Sequence, residues 1–92
     1  MSLNPKAKQQ LKAKAHALKP VVSIGQHGLT DAVNKELASS LEFHELMKIK
    51  LHIKDRDERR QILEQICQTH QAEAVQLIGS IGVIYRKNPQ NT

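Results

Sequence analysis

The sequence predicts an α/β fold of the α+β kind. A two-layer sandwich is expected, with a four-stranded mixed sheet carrying helices on one face. The elements run in the order helix, strand, helix, strand, helix, strand, strand. Three observations carry this. Apolar residues recur at helical spacing in three separate segments. The stretch LMKIKLHIK, residues 46–54, alternates strictly, as a strand with one buried face does. Strands and helices also alternate along the chain, which implies parallel neighbours joined by right-handed crossovers. Only two crossovers follow the first helix, so the sheet is small. At 92 residues the chain is expected to form a single domain over 1–92, with its core within about 3–88.

The first helix opens at Asn4-Pro5, a good N-cap followed by the residue best suited to the first helical position. Leu3, Ala7, Leu11, Ala15 and Leu18 form its apolar stripe, with Lys8, Lys12, His16 and Lys19 along one flank. Pro20 is expected to end it. Val21–Ile24 reads as a short β-branched strand, buried in the sheet. Thr30 can cap a second helix, with Asp31 favoured in its first turn by the helix dipole. Val33, Leu37 and Leu41 give that helix its apolar face, and it should end near Phe43-His44. In the alternating strand, Met47, Ile49, Leu51 and Ile53 point one way. Leu46, Lys48, Lys50, His52 and Lys54 point the other. Asp55 and Glu58 stand at capping-box spacing before a third helix, whose inward face is Ile62, Leu63, Ile66 and Cys67. Ala74–Ile78 and Val83–Arg86 then form an antiparallel hairpin turning at Gly79–Gly82.

Composition narrows the function classes. No apolar run approaches the ~20 residues of a membrane span, and the Lys-rich N-terminus lacks the apolar segment of a secretory signal. The single cysteine, Cys67, excludes an intramolecular disulfide and a Cys-based zinc site. The compartment this implies is the cytoplasm, with no membrane partner. The formal net charge is +5, and it is localised. Residues 1–20 hold Lys6, Lys8, Lys12, Lys14 and Lys19 and no acid, while the remaining nine basic residues balance nine acids. A localised excess points to a polyanionic partner. A merely solubilising basic segment is the competing reading.

The segment IGQHGLT, residues 24–30, joins a strand to a helix. Two glycines permit close backbone approach, and the helix N-terminus behind them offers free N–H groups and partial positive charge. A phosphate backbone can lie against such a loop. The spacing fits neither a Walker loop nor a dinucleotide fingerprint, so no nucleotide cofactor or small-molecule substrate is expected. KH domains clamp nucleic-acid backbone with a GxxG loop, although there it joins two helices. Alone, the tetrapeptide is equally an ordinary turn.

Three blocks carry a wider resemblance: LKPVVSIGQHGLT, ELMKIKLHI and AVQLIGSIGVIYRKN. In this order they resemble the signature blocks of the CRM domain (chloroplast RNA splicing and ribosome maturation). The bacterial stand-alone members called YhbY-like are the most similar. The resemblance implies a two-layer fold similar to the C-terminal domain of bacterial translation initiation factor three. It also implies RNA binding and, for bacterial members, association with precursors of the large ribosomal subunit. By position, Gly25, Gln26, His27 and Gly28 match the RNA-contacting loop. Lys48 and Lys50 match the basic positions of the ELxKxK block, and Tyr85 and Arg86 match the end of the last strand. The chain departs from the pattern in having no Lys between the loop glycines, which shifts loop contacts onto main-chain N–H groups. Gly82 also stands where a larger apolar residue is expected.

Other chemistry is poorly supported. No histidine pair among His16, His27, His44, His52 and His70 has the spacing of a helical zinc site. His16, His44, His52 and His70 read as solvated or structural. His27 could donate to phosphate, stack on a base, or sit free at the loop tip. Cys67 reads as core, and the acids at Asp55–Glu58, interleaved with arginines, as a solvated helix start. Phe43 and Tyr85 are the only aromatics, too few for the stacking sheet of an RRM or OB reader. Tyr85 also reads as a strand-end core residue. The expected function is therefore non-catalytic RNA binding, directed at ribosomal RNA in large-subunit precursors. Phosphate contacts are expected from Lys8, Lys12, Lys19, Lys48, Lys50, Arg86 and Lys87. The rivals are a basic module docking on an acidic protein and a small RNA-processing enzyme, for which no catalytic pair is visible.

Overall fold

The structure, a computed structural model, describes residues 4–87. Leu3 and Asn88, at the expected margins of the core, lie outside the described residues. Helix α1 spans Pro5–Ala15. The Asn4 side chain caps it, Oδ1 accepting the Ala7 N–H at 2.7 Å. The helix stops at Ala15, five residues before Pro20. Pro20 already belongs to strand β1, Pro20–Ile24. Only Val22 and Ile24 of β1 are buried, so the strand is half-buried rather than enclosed. Helix α2, Asp31–Phe43, is capped by Thr30, whose hydroxyl accepts the Val33 N–H at 3.2 Å.

Strand β2 is Leu46–Leu51, ending earlier than its alternation. Helix α3 is Arg56–His70; Asp55 holds the N-cap position, but its side chain makes no capping bond, so the expected capping box does not form. The helix terminates at Gln71, in the left-handed region at φ 54°. Strands β3, Glu73–Ile78, and β4, Ile81–Tyr85, join through Gly79-Ser80. Strand β4 therefore begins two residues before the expected Val83 and includes Gly82. The reason lies in α3: a Cβ on Gly82 would stand 2.9 Å from Leu63 Cδ1. The Leu63 side chain fills the space that a Cβ at this position would take.

The sheet order is β1-β2-β4-β3. Strands β1 and β2 are parallel, and the β2–β4 and β4–β3 pairs are antiparallel. This matches the mixed sheet and element order expected from sequence. Helices α2 and α3 pack on one face, where Leu37, Leu41, Leu63 and Ile66 meet Val22, Ile24, Met47, Ile49, Leu51 and Ile84. Full burial of each such side chain contributes about 1.5–3 kcal/mol, so this layer holds most of the fold's stability.

One expected feature is corrected. Helix α1 does not share that face. Its Ala15 packs with Val75 and Val83 on the opposite side, flanked by Leu11, Leu46 and Tyr85. The cause is in the strands: β2 turns Leu46 to the lysine side, and β3 and β4 place Val75 and Val83 there. That apolar patch needs cover, and the Leu11–Ala15 stripe supplies it.

Candidate functional site

The loop Gly25–Gly28 is a tight turn in which the Gly28 N–H donates to the Gly25 carbonyl at 3.0 Å. Gly28 has φ +71°, a conformation that side chains resist. Gly25 makes no such demand, and a Cβ there would meet nothing within 4 Å. Gln26 and His27 are exposed at the tip, and within the described residues their backbone N–H groups have no partner. The turn leads through Leu29 to the Thr30 cap. Three features thus meet here: free amides, an unobstructed glycine and the N-terminus of α2.

Register places the loop beside β2. Ile24 pairs with Leu51, and the His52 N–H donates to the Ile24 carbonyl at 2.7 Å. Exposed His52 and Lys54 therefore lie at the loop's end of the sheet, as do the N-terminus of α3 and the Gly79-Ser80 turn. Sequence reading missed both as neighbours of the loop. The parallel pairing of β1 with β2 was the signal that could have found them.

The lysine row runs toward this end. Lys48 and Lys50 are half-buried on the side of the sheet away from α2 and α3, about 7 Å apart by strand rise. Lys50 stands opposite Ser23, and Lys48 opposite Pro20, which follows Lys19. Lys12 and His16 of α1 line one groove with Lys48, and Lys8 precedes Lys12 by one turn. Lys8, Lys12, Lys48 and Lys50 thus share a side, and the row leads to the loop, while Lys19 immediately precedes the edge strand β1. None of α1, β1, β2 or β4 contains an acid, whereas α2 and α3 carry Asp31, Glu36, Glu42, Asp57, Glu58 and Glu64. Lys35, Arg56, Arg59 and Arg60 offset part of that charge, so the α2–α3 side is mixed while α1 and β2 are purely basic.

Arg86 and Lys87 are not brought to the loop. Tyr85 pairs with Leu46, and five residues of strand, about 17 Å, separate Leu46 from Leu51. Arg86 is also engaged. Its N–H donates to the Glu45 carbonyl at 2.8 Å, and its Nη1 donates to the His70 carbonyl at 3.2 Å. There it satisfies the C-terminal end of α3 with a positive charge.

Two other titratable groups serve the structure. His70 is buried, with Nε2 3.1 Å from Asn34 Oδ1. The pair ties the C-terminal end of α3 to α2. Burial, and secondarily the nearby Arg86 charge, hold its pKa below the ordinary value. Burial first, then Glu73 and Glu64, pushes the Cys67 thiol up to about 11, leaving little thiolate. Among the described residues no group of three or more His, Cys, Asp or Glu could hold a metal ion. None of the described helices is long and apolar enough to cross a membrane.

The CRS1 / YhbY (CRM) domain matches residues 3–86, a span that includes the loop, the lysine row and the groove. The chain belongs to the CRM domain family. A Pseudomonas aeruginosa relative named a probable RNA-binding protein is 42% identical over 90 residues, covering 98% of this chain and 86% of the relative. A Haemophilus influenzae relative named an RNA-binding protein is 42% identical over 89 residues, covering 97% and 90%. The solution structure of a hypothetical protein from Staphylococcus aureus superimposes with a TM-score of 0.87 at 32% identity, covering 99% of this chain and 95% of that one.

Proposed function

We propose that this CRM-domain protein binds RNA without catalysing a reaction on it. The observation that carries the reading is the acid-free basic side formed by α1 and β2, leading to an open glycine loop. The relatives named as RNA-binding proteins support it. Lys8, Lys12, Lys19, Lys48 and Lys50 contact phosphates, and Gly25, Gln26, His27 and Gly28 seat the backbone against main-chain N–H groups at the start of α2. Lys87 extends the contact at the far end. Arg86 does so only as far as its bond to α3 allows. The resemblance to stand-alone bacterial members directs the proposal to ribosomal RNA in large-subunit precursors, in the cytoplasm.

The test is crosslinking in cells followed by sequencing of the attached RNA, with native protein beside the Gln26→Asp, His27→Asp variant. Enrichment of large-subunit RNA that is lost in the folded variant is the expected result. Enrichment that survives moves the site to the lysine rows. Absence of RNA from native protein overturns the reading and favours an acidic protein partner for the basic helix.

A further inference from the structure

We propose that the groove between α1 and the outer face of the sheet is a pocket for one unpaired nucleobase of the bound strand. The inference rests on the RNA-binding reading and adds a site to it. The groove is open to solvent and holds about 220 Å³, on the scale of a single planar heterocycle. Lys12, His16 and Lys48 line it, and no acid does. A strand lying along the lysine row therefore brings its phosphates to the pocket mouth.

Phosphate binding alone does not account for the rest of the lining. Ile78 and Ile81 face the groove, and Ile78 is 63% exposed. An exposed branched apolar side chain beside lysines offers nothing to a phosphate and a flat contact to a base. The chain has one Phe and one Tyr, and Tyr85 is committed to packing near α1. A base cannot stack on an aromatic platform here, so an aliphatic wall is the available substitute. Gln76 supplies the polar handle. It is half-buried in the groove, and its side-chain amide has no partner among the described residues. An amide both donates and accepts, so it can read a base edge.

The experiment uses the full chain and three probes of matched charge: a single-stranded eleven-nucleotide RNA with its ten phosphodiesters, the same strand with abasic riboses, and a decaglutamate peptide. Affinities are measured at one salt concentration, and backbone amide shifts are followed by NMR. The RNA should bind roughly 5- to 25-fold more tightly than the abasic strand, the range expected for covering one branched apolar side chain that is 63% exposed. Shifts should centre on Gln76, Ile78 and Ile81. Ile78→Ser, at an exposed position, should bring that ratio toward one and leave abasic binding unchanged. Gln76→Leu should flatten any preference among the four homopolymers while the fold, checked by the NMR spectrum, persists. Equal binding of the RNA and abasic strands overturns the pocket and leaves the RNA-binding reading standing. Equal binding of decaglutamate reduces the groove to a charge patch and overturns it too. If neither strand binds, both proposals fall.

Discussion

Replacing Gly82 with valine sets two general rules against each other. Glycine inside a strand costs about 0.5–1 kcal/mol relative to alanine, so strand propensity alone predicts a gain on substitution. Packing predicts a loss. A Cβ at Gly82 would lie 2.9 Å from Leu63 Cδ1, 3.6 Å from Cδ2 and 3.7 Å from Cγ, and Leu63 is buried at 4% exposure. Overpacking of this kind costs about 1–3 kcal/mol, and the two valine methyls add to the conflict. The packing cost exceeds the propensity gain, giving a net loss of about 1–2 kcal/mol. For a domain of this size each kcal/mol lowers Tm by about 4–8 °C. Urea denaturation followed by circular dichroism, with the slope checked for constancy, measures it. The partner change sharpens the test. Leu63→Ala alone should cost about 2–5 kcal/mol, but in that background the valine fills the vacated space. A double-mutant cycle should then show a coupling of about 1–3 kcal/mol. If Gly82→Val is neutral or stabilising, or if the two changes simply add, the close packing of the Leu63 side chain on Gly82 is wrong.

Three more outcomes are expected. If about five lysines neutralise phosphates on a single strand, RNA affinity should fall on the order of 100-fold between 50 and 200 mM salt; Lys48→Gln should reduce the slope, and a flat profile contradicts the charged interface. Because the folded pKa of His70 lies below its unfolded value, the unfolded chain binds the extra proton. Stability should therefore be complete above the unfolded value near 6.5 and decline as pH falls below it, a dependence that denaturation curves at stepped pH should lose in His70→Gln. With its pKa raised from 9.0 to about 11, Cys67 should react with a disulfide reagent at pH 8 about 100-fold more slowly than an ordinary thiol, with the full rate returning in urea.

Elements whose sequence pattern is local were legible. The alternation at Leu46–Leu51 and the caps at Asn4 and Thr30 need only short-range geometry, and each appears as expected. What escaped depends on tertiary contact. Nothing in the local sequence says that Gly82 lies under Leu63, so a glycine that enables packing read as a gap in a strand. The side of the sheet taken by α1 was likewise hidden, because it is decided by Val75 and Val83, two valines far from α1 in sequence. The candidate site divides the same way. Register unites the lysine row with the loop, whereas Arg86, adjacent to Tyr85 in the signature block, faces the C-terminal end of α3. Pattern reading marks a residue as basic, but not which end of the sheet it occupies.

Strand β2 carries Met47, Ile49 and Leu51 into the main core and Lys48 and Lys50 onto the opposite side. That arrangement sets what kinds of sequence change the molecule can absorb. Point substitutions in the lysine row can retune affinity or preference while leaving every core contact in place, so relatives are free to diverge in what they bind on an unchanged scaffold. Insertion or deletion of a single residue has the opposite effect, exchanging the two rows at once. Lineages should therefore keep the length of this segment constant, whatever side chains they carry on its solvent face.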